Sequence, residues 1–160
     1  MDKQALGQQI IALTGTLYHI SYSLLRSEAD REDAVQSAIE KGWRKAATLR
    51  DERKLKPWLV RILINECYTI LRRNSREFPS ETPYNSTAHT PNSDSALRDE
   101  ILALPKALRL PIVLHYMEGF SIQDIASALR CPKGTVLSRM HRGRNMIKQN
   151  LMEAKHDEEK

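Results

Sequence analysis

A stretch near the middle of the chain contains almost no side chains that a core could bury. Residues 77–94 include three prolines, three serines and three threonines. Such a segment cannot bury enough apolar surface to offset the entropy lost on ordering, so we predict a flexible linker there. The remainder of the 160-residue chain then consists of two short halves, and each half needs a core of its own.

The first half shows the three- and four-residue apolar spacing of helices. Ile10, Leu13, Leu17, Ile20 and Leu24 predict one helix from about Lys3 to Arg26. A second helix is predicted to start at an N-cap residue, Asp30. Its predicted buried face consists of Val35, Ala38, Ile39, Gly42, Trp43 and Ala46. A third helix, from Pro57 to about Arg73, is predicted to bury Leu59, Ile62, Leu63, Ile70 and Leu71.

The second half predicts a short helix, a tight turn and a long helix at its end. Residues 95–104 favour a helix, Pro111 must begin or kink the next one, and Gly119 is expected to end it. Ser121 and Asp124 form a cap-like pair before the short helix, and the last helix is predicted to start at Pro132.

These patterns predict an all-α fold of two small helical domains, because no run with a period of two residues stands out. The predicted boundaries are 1–76 for the first domain, 77–94 for the linker and 95–155 for the second domain, with a charged tail at 156–160.

The positive charge of the chain is concentrated in one zone of each half. The net charge is +5, with eleven basic and three acidic residues in 41–76, and six basic residues and one acid in 121–150. Two basic zones favour a polyanionic partner such as nucleic acid.

Other classes of protein have little support in the sequence. No apolar run approaches the ~20 residues of a membrane span, and the start of the chain does not resemble a secretory signal, so we predict a cytoplasmic protein without membrane insertion. Cys67, Cys131 and the five histidines show no metal-binding spacing. No phosphate-binding loop or cluster of catalytic residues is visible, so we expect neither a cofactor nor enzymatic activity.

The last helix is predicted to have two different faces. Val136, Met140, Gly143, Ile147 and Leu151 form an apolar stripe that should pack inward. A second stripe carries Thr135, Ser138, Arg139 and Arg142, whose hydroxyl and guanidinium groups can bind bases or phosphates. Lys133 and the free N–H groups at the helix start would favour a phosphate.

The motifs of the second half resemble region four of extracytoplasmic-function sigma factors. They are Leu104-Pro105, the segment HYMEGFSIQDIA at 115–126 and GTVLSRMHRGR at 134–144. The resemblance implies docking on the flap of the polymerase β subunit. It also implies recognition of the minus-thirty-five promoter element by Lys133, Thr135, Ser138, Arg139 and Arg142. Leu137 and Arg130 depart from the family pattern, since Lys and Gly are usual there.

The first half independently resembles region two of the same family. The segment DAVQ at 33–36, followed by Trp43-Arg44, implies that Asp33, Gln36 and Glu40 bind the clamp coiled coil of the polymerase β′ subunit. The segment WLVRILIN at 58–65 with Arg72-Arg73 implies recognition and melting of the minus-ten element. The residues implied in that role are Arg53, Lys56, Arg61, Asn65, Arg72 and Arg73.

From the residues alone, Trp43 and Trp58 are expected to be core residues rather than surfaces for base stacking.

By resemblance we expect a stress or envelope response controlled by an anti-sigma factor, which could hold the protein at the membrane. The main alternative is a stand-alone regulator, because response regulators carry a similar helix-turn-helix. Such proteins usually also have an α/β receiver domain, and the first half lacks its pattern. A small helical enzyme and a membrane-surface protein are weaker alternatives.

Overall fold

The computed structural model of the protein describes residues 2–77 and 93–158, so most of the predicted linker, residues 78–92, lies outside the described residues. Within the described ranges the regular structure is helical and contains no strand, which confirms the all-α prediction. The chain divides into two compact helical units. We call the helices before the undescribed segment the first unit and those after it the second unit.

The first unit begins with two helices where one was predicted. Helix α1 spans Lys3–Ala12 and α2 spans Thr14–Tyr22, with a break at Leu13. At the break the Leu13 N–H donates to the carbonyl of Ile10, which tightens the backbone locally. Thr and Gly directly after the break have low helix propensity, which favours an interruption at this point. The predicted apolar stripe still faces inward, because Ile10 and Leu17 are fully buried.

Helix α3 spans Glu28–Arg44, and its N-cap is Ser27 rather than the predicted Asp30. Ser27 has an extended backbone, and its Oγ accepts the N–H of Asp30 at 3.0 Å. The prediction was wrong because both residue types are good caps and the correct one lies three residues earlier. The Asp30 carboxylate instead accepts a hydrogen bond from Asn74 Nδ2 at 3.0 Å.

Helix α4 spans Leu55–Glu77 and packs along α3. Two short 3₁₀ turns, Ala46–Thr48 and Glu52–Lys54, connect the two helices. Pro57 lies in the first turn of α4 as predicted, where its missing N–H costs nothing. Leu59, Leu63 and Ile70 are buried as predicted, whereas Ile62 and Leu71 are only half-buried.

Trp43 is not the core residue that was predicted. Its side chain is 41% exposed, and it lies on the surface of α1. A Cβ added to Gly7 would approach the indole ring to 2.7 Å, so the absence of a side chain at Gly7 makes room for this contact. The Nζ of Lys3 lies 5.1 Å from the ring centroid. Trp58 is half-buried, which fits the core expectation only in part.

The second unit begins with α5, Ser93–Ala103, and α6, Lys106–Ile112, which continues into a π turn at Val113–Met117. Pro111 lies near the end of α6, so of the two expected alternatives, beginning a helix or lying within one, the first was wrong. Pro111 has no N–H to donate to the Ala107 carbonyl, and the π turn follows two residues later. Gly119 has φ +72 and follows the end of this segment, as predicted.

Helix α7, Ile122–Leu129, and helix α8, Lys133–Glu158, form the predicted helix-turn-helix. Ser121 Oγ accepts the N–H of Asp124 at 3.0 Å, which confirms the predicted cap. The turn is closed by the Cys131 N–H, which donates to the Ala126 carbonyl at 3.1 Å. Arg130 has φ +53, the left-handed conformation typical of this kind of helix end. Helix α8 begins one residue later than predicted, immediately after Pro132.

Gly143 allows α8 to pack closely against α6. A Cβ at this position would lie 2.5 Å from Ile112 Cδ1 and 3.5 Å from the Leu108 carbonyl oxygen.

The side chain of Arg109 in α6 is buried, although arginine is a charged residue. Its Nε and Nη2 donate to the Leu104 carbonyl at 3.1 and 2.7 Å. This guanidinium therefore satisfies a carbonyl at the α5–α6 connection instead of facing solvent.

Candidate nucleic-acid and polymerase interfaces

Helix α8 presents one apolar and one polar face, as its sequence predicted. Val136, Met140, Gly143 and Ile147 are buried and hold the helix against the rest of the second unit. On the remaining surface Ser138 and Arg142 are exposed, while Thr135 and Arg139 are half-exposed. We call Lys133, Thr135, Ser138, Arg139 and Arg142 the α8 surface. Thr135, Ser138, Arg139 and Arg142 share one accessible side of a helix whose opposite side is buried, and Lys133 belongs to the first turn of that helix.

The first turn of α8 is open to a phosphate group. Lys133 and Gly134 are exposed, and a Cβ at Gly134 would meet nothing within 4 Å. The first backbone N–H bond of the helix is made by Thr135, which donates to the Pro132 carbonyl at 3.0 Å. The preceding N–H groups and the helix dipole favour an anion at this end.

Not every basic residue of α8 belongs to this surface. Arg144 Nη1 donates to the Tyr116 hydroxyl at 2.8 Å, so its guanidinium contacts the π turn. Asn145 and His141 contact each other at 3.2 Å, one helical turn apart. Arg144 lies outside the stripe predicted from the sequence, and its contact with Tyr116 gives it a separate partner.

A second candidate interface lies on α3. Asp33, Gln36 and Glu40 are all exposed, and their spacing places them on one face of the helix. Gln36 Nε2 lies 3.5 Å from Glu40 Oε1, one turn further along. We call these three residues the α3 face. Its carboxylates and amide suit a partner that offers basic and hydrogen-bonding groups.

The residues expected at the minus-ten element fall into separate places within the first unit. Arg61, Asn65 and Arg72 lie along one face of α4, over about 16 Å at 1.5 Å per residue. Lys56 lies in the first turn of α4. Arg73 is turned away from this line, because its Nη2 lies 3.5 Å from Asp30 Oδ1 on α3.

Arg53 lies in the connector between α3 and α4 and is paired within it. Its Nε and Nη2 lie 3.2 and 3.4 Å from the Asp51 carboxylate oxygens. The side-chain and backbone hydrogen bonds from Arg53 lower the pKa of the Asp51 carboxyl. The resemblance implied that Arg53 binds the minus-ten element, and in the structure its guanidinium is paired with Asp51.

Three residues that position these interfaces were not found from the sequence. Arg31 Nε donates to the Leu25 carbonyl at 2.9 Å, and its guanidinium lies 4.2 Å from the Tyr22 ring centroid, which fixes the start of α3. Asn74 and Arg109 make the contacts described above. Because the acceptors of Arg31 and Arg109 are backbone carbonyls, no residue pattern in the sequence identifies them.

In the part of the chain that the structure describes, no group of three or more His, Cys, Asp or Glu side chains is arranged to hold a metal ion. None of the helices described combines the length and the apolar character that crossing a membrane requires.

Two family matches cover most of the chain. Sigma-70 region 2 matches residues 11–77, and Sigma-70 region 4 matches residues 94–147. The first match contains the α3 face and α4, and the second contains the helix-turn-helix with the α8 surface. Together these regions define a transcription initiation factor that works with RNA polymerase.

Individual relatives agree with the family matches. The ECF RNA polymerase sigma-E factor of Haemophilus influenzae is 32% identical over 144 residues, which cover 78% of this chain and 76% of that protein. The RNA polymerase sigma-H factor of Pseudomonas aeruginosa is 29% identical, with 94% and 88% covered. The sigma factor RpoE from Bartonella quintana, solved in complex with the anti-sigma factor NepR, has a TM-score of 0.76 and 29% identity, with 91% and 95% covered.

The chain belongs to the extracytoplasmic-function subfamily of RNA polymerase sigma factors. It binds core RNA polymerase and promoter DNA, and it directs initiation at specific promoters.

Proposed function

We propose that the two units divide the work of initiation, with residues 1–76 acting on the polymerase clamp and the minus-ten element, and 95–155 on the minus-thirty-five element. The α3 face, formed by Asp33, Gln36 and Glu40, binds the β′ coiled coil. The observation that supports this assignment is that each unit buries one face of a helix and leaves the opposite polar face exposed.

The α8 surface recognises the minus-thirty-five element. Arg139 and Arg142 supply guanidinium groups for base edges or phosphates, and Thr135 and Ser138 supply hydroxyl groups. The open first turn, with Lys133, holds a backbone phosphate and sets the register of the helix on the duplex. The second unit also docks on the β flap.

Melting of the minus-ten element is assigned to α4 and the connector before it. Arg61, Asn65 and Arg72 share a face of α4 and form the core of this site, to which Lys56 adds positive charge for the displaced strand. Arg53 takes part when its exposed pair with Asp51 opens. Arg73 has a structural contact with Asp30 and contributes to DNA binding only if that contact opens.

Regulation and location follow from the same assignment. We infer that an anti-sigma factor covers one or both interfaces, as the relative from Bartonella quintana was solved with such a partner. The protein then acts in the cytoplasm, is held at the membrane where its partner is anchored there, and is released in a stress or envelope response. It performs no catalysis itself and uses no cofactor.

Transcription with purified core polymerase tests the division of work. Wild-type protein is expected to produce defined start sites on fragments of its own genome, and these should be absent without it. Arg139→Ala with Arg142→Ala should weaken holoenzyme binding to promoters by roughly 100-fold and leave core binding intact, since each lost base contact costs about 1–3 kcal/mol. Lys148→Ala, which removes an exposed cation further along α8, is the matched control.

The α3 face is tested by binding to core polymerase alone. Gln36→Ala with Glu40→Ala should reduce the affinity for core and leave the helix content unchanged, because both side chains are exposed. Full core affinity in this variant would contradict the clamp assignment. Tight promoter binding by the free chain, without core binding, would support a stand-alone regulator instead.

A further inference from the structure

A leucine is exposed on the part of α8 that is proposed to face DNA. Leu137 is 52% exposed, although it is the fifth residue of a helix whose other apolar residues in this part are buried. Of its four neighbours one turn away, Lys133, Gly134 and His141 are exposed, and Met140 is buried. Leu137 is thus an exposed apolar side chain at the border between the buried stripe and the polar surface of α8.

The position of Leu137 along the helix brings it close to the proposed base contacts. It lies about 6 Å along the axis from Lys133 at the phosphate-binding end, and Arg142 lies about 7.5 Å beyond it. Residues in the N-terminal part of a recognition helix are the ones that approach base edges in the major groove. Along the axis Leu137 therefore lies between a phosphate contact and a guanidinium that is proposed to contact bases. Around the axis it lies about 100° from Ser138 and about 140° from Arg142, so it borders the α8 surface.

We propose that Leu137 determines sequence specificity by packing on the 5-methyl group of a thymine in the minus-thirty-five element. A leucine side chain can neither donate nor accept a hydrogen bond, so polar base edges beside it would lose their water without compensation. The thymine methyl is the apolar group that a standard base pair presents in the major groove. The inference rests on the proposed role of the α8 surface.

Replacement of thymine by deoxyuridine tests this contact, because it removes the methyl group and keeps the base pairing. Each thymine of a mapped minus-thirty-five element, on either strand, is replaced in turn, and the affinity of wild-type holoenzyme is measured at fixed salt. One replacement is expected to weaken binding about fourfold, the effect of losing one buried methyl group. The same replacement should have no effect on the Leu137→Ala holoenzyme, whose affinity for the unmodified promoter is lower.

Met146→Ala is the matched control, since Met146 is also exposed on α8 but lies about 13.5 Å beyond Leu137. This variant should keep the full sensitivity to deoxyuridine. The proposal is overturned if no thymine is sensitive, or if the sensitivity persists in Leu137→Ala. In both cases, a strong loss of promoter affinity in Arg139→Ala with Arg142→Ala would still support the proposed function. If the affinity did not depend on the sequence of the minus-thirty-five element at all, the proposed function would be rejected as well.

Discussion

The two units hold their functional helices in different ways. In the first unit, polar side chains connect α3 to α4 near both ends, through Asp30 with Asn74 and through the ion pair of Lys41 with Glu66. These contacts add to the buried apolar face of α3 and to its close approach to α4 at Gly42. In the second unit, α8 has a buried apolar stripe and the close approach that Gly143 allows, and its polar contacts to Tyr116 and Glu100 are made by exposed side chains. Both functional helices therefore depend on packing shape, and the first unit adds part-buried polar contacts between α3 and α4.

The two cysteines provide the largest expected contrast between the units. Cys67 is fully buried in α4, and burial, together with the nearby Glu66 carboxylate, raises the pKa of its thiol to about 12. Cys131 is half-buried at the turn before α8. Because the thiolate is the reactive form, Cys67 should be alkylated roughly a thousandfold more slowly than an ordinary thiol near pH 8. One equivalent of label is expected in the native protein and two after unfolding, with Cys131→Ser as the control.

The same shift has a consequence for stability. The pKa of Cys67 is raised on folding from a reference of 9.0, so the folded state keeps a proton that the unfolded state releases. This contribution is fully present below about pH 9 and is lost as the pH rises towards 12. Cys67→Ala should make the free energy of unfolding less dependent on pH in that range. Rapid labelling of Cys67 in the native protein would contradict the labelling prediction and would show that the α3–α4 core opens readily.

Gly143→Ala tests whether close packing holds α8. In an open helix this substitution would stabilise by about 1 kcal/mol, but here the new Cβ meets Ile112 Cδ1 at 2.5 Å. Overpacking of this kind typically costs about 1–3 kcal/mol, so we expect a net loss of stability of about 1 kcal/mol. Gly15→Ala in α2 is the matched control, since nothing lies within 4 Å of its Cβ position, and it should raise the melting temperature.

The same contrast explains how much of the molecule could be predicted from the sequence. The second unit was predicted well, because the cap at Ser121 and the apolar stripe of α8 are local patterns that fix local structure. The cap at Ser27 was missed because Asp30 is an equally good cap residue, and the break at Leu13 was missed because the apolar spacing continues through it. Trp43 was assigned to the core because its spacing matches the buried stripe, but its ring lies on the surface of α1 at Gly7 and stays 41% exposed.

For the proposed interfaces, the sequence predicted which side chains are exposed but not which of them have partners elsewhere in the fold. Exposure of the α3 face and the α8 surface follows from helix periodicity, so the residues proposed there are accessible as expected. The contacts of Arg73 with Asp30 and of Arg144 with Tyr116 connect residues that are distant in sequence. Periodicity within one helix cannot show such contacts, and they decide which cations remain available to DNA.

Lys41→Met should destabilise the first unit by about 1 kcal/mol. The substitution leaves the Glu66 carboxylate, whose side chain is 15% exposed, without its cation. The effect is kept small because the Lys41 side chain is 43% exposed and its charge is partly screened by solvent. Chemical denaturation measures the change, and adding Glu66→Met should recover part of it. Arg53→Met, which breaks an exposed pair with Asp51, should cause no measurable change in stability.

Arg130→Gly is expected to have the smallest effect, and in the opposite direction. Arg130 has φ +53, a conformation that costs a residue with a side chain about 1 kcal/mol and that glycine adopts freely. Glycine also loses more backbone entropy on folding, so the net stabilisation should be a few tenths of a kcal/mol, seen as a small rise in melting temperature. Arg130→Ala keeps the strain and removes the charge, so it should not stabilise. If Ala and Gly raised the melting temperature equally, charge rather than backbone geometry would limit stability at this turn.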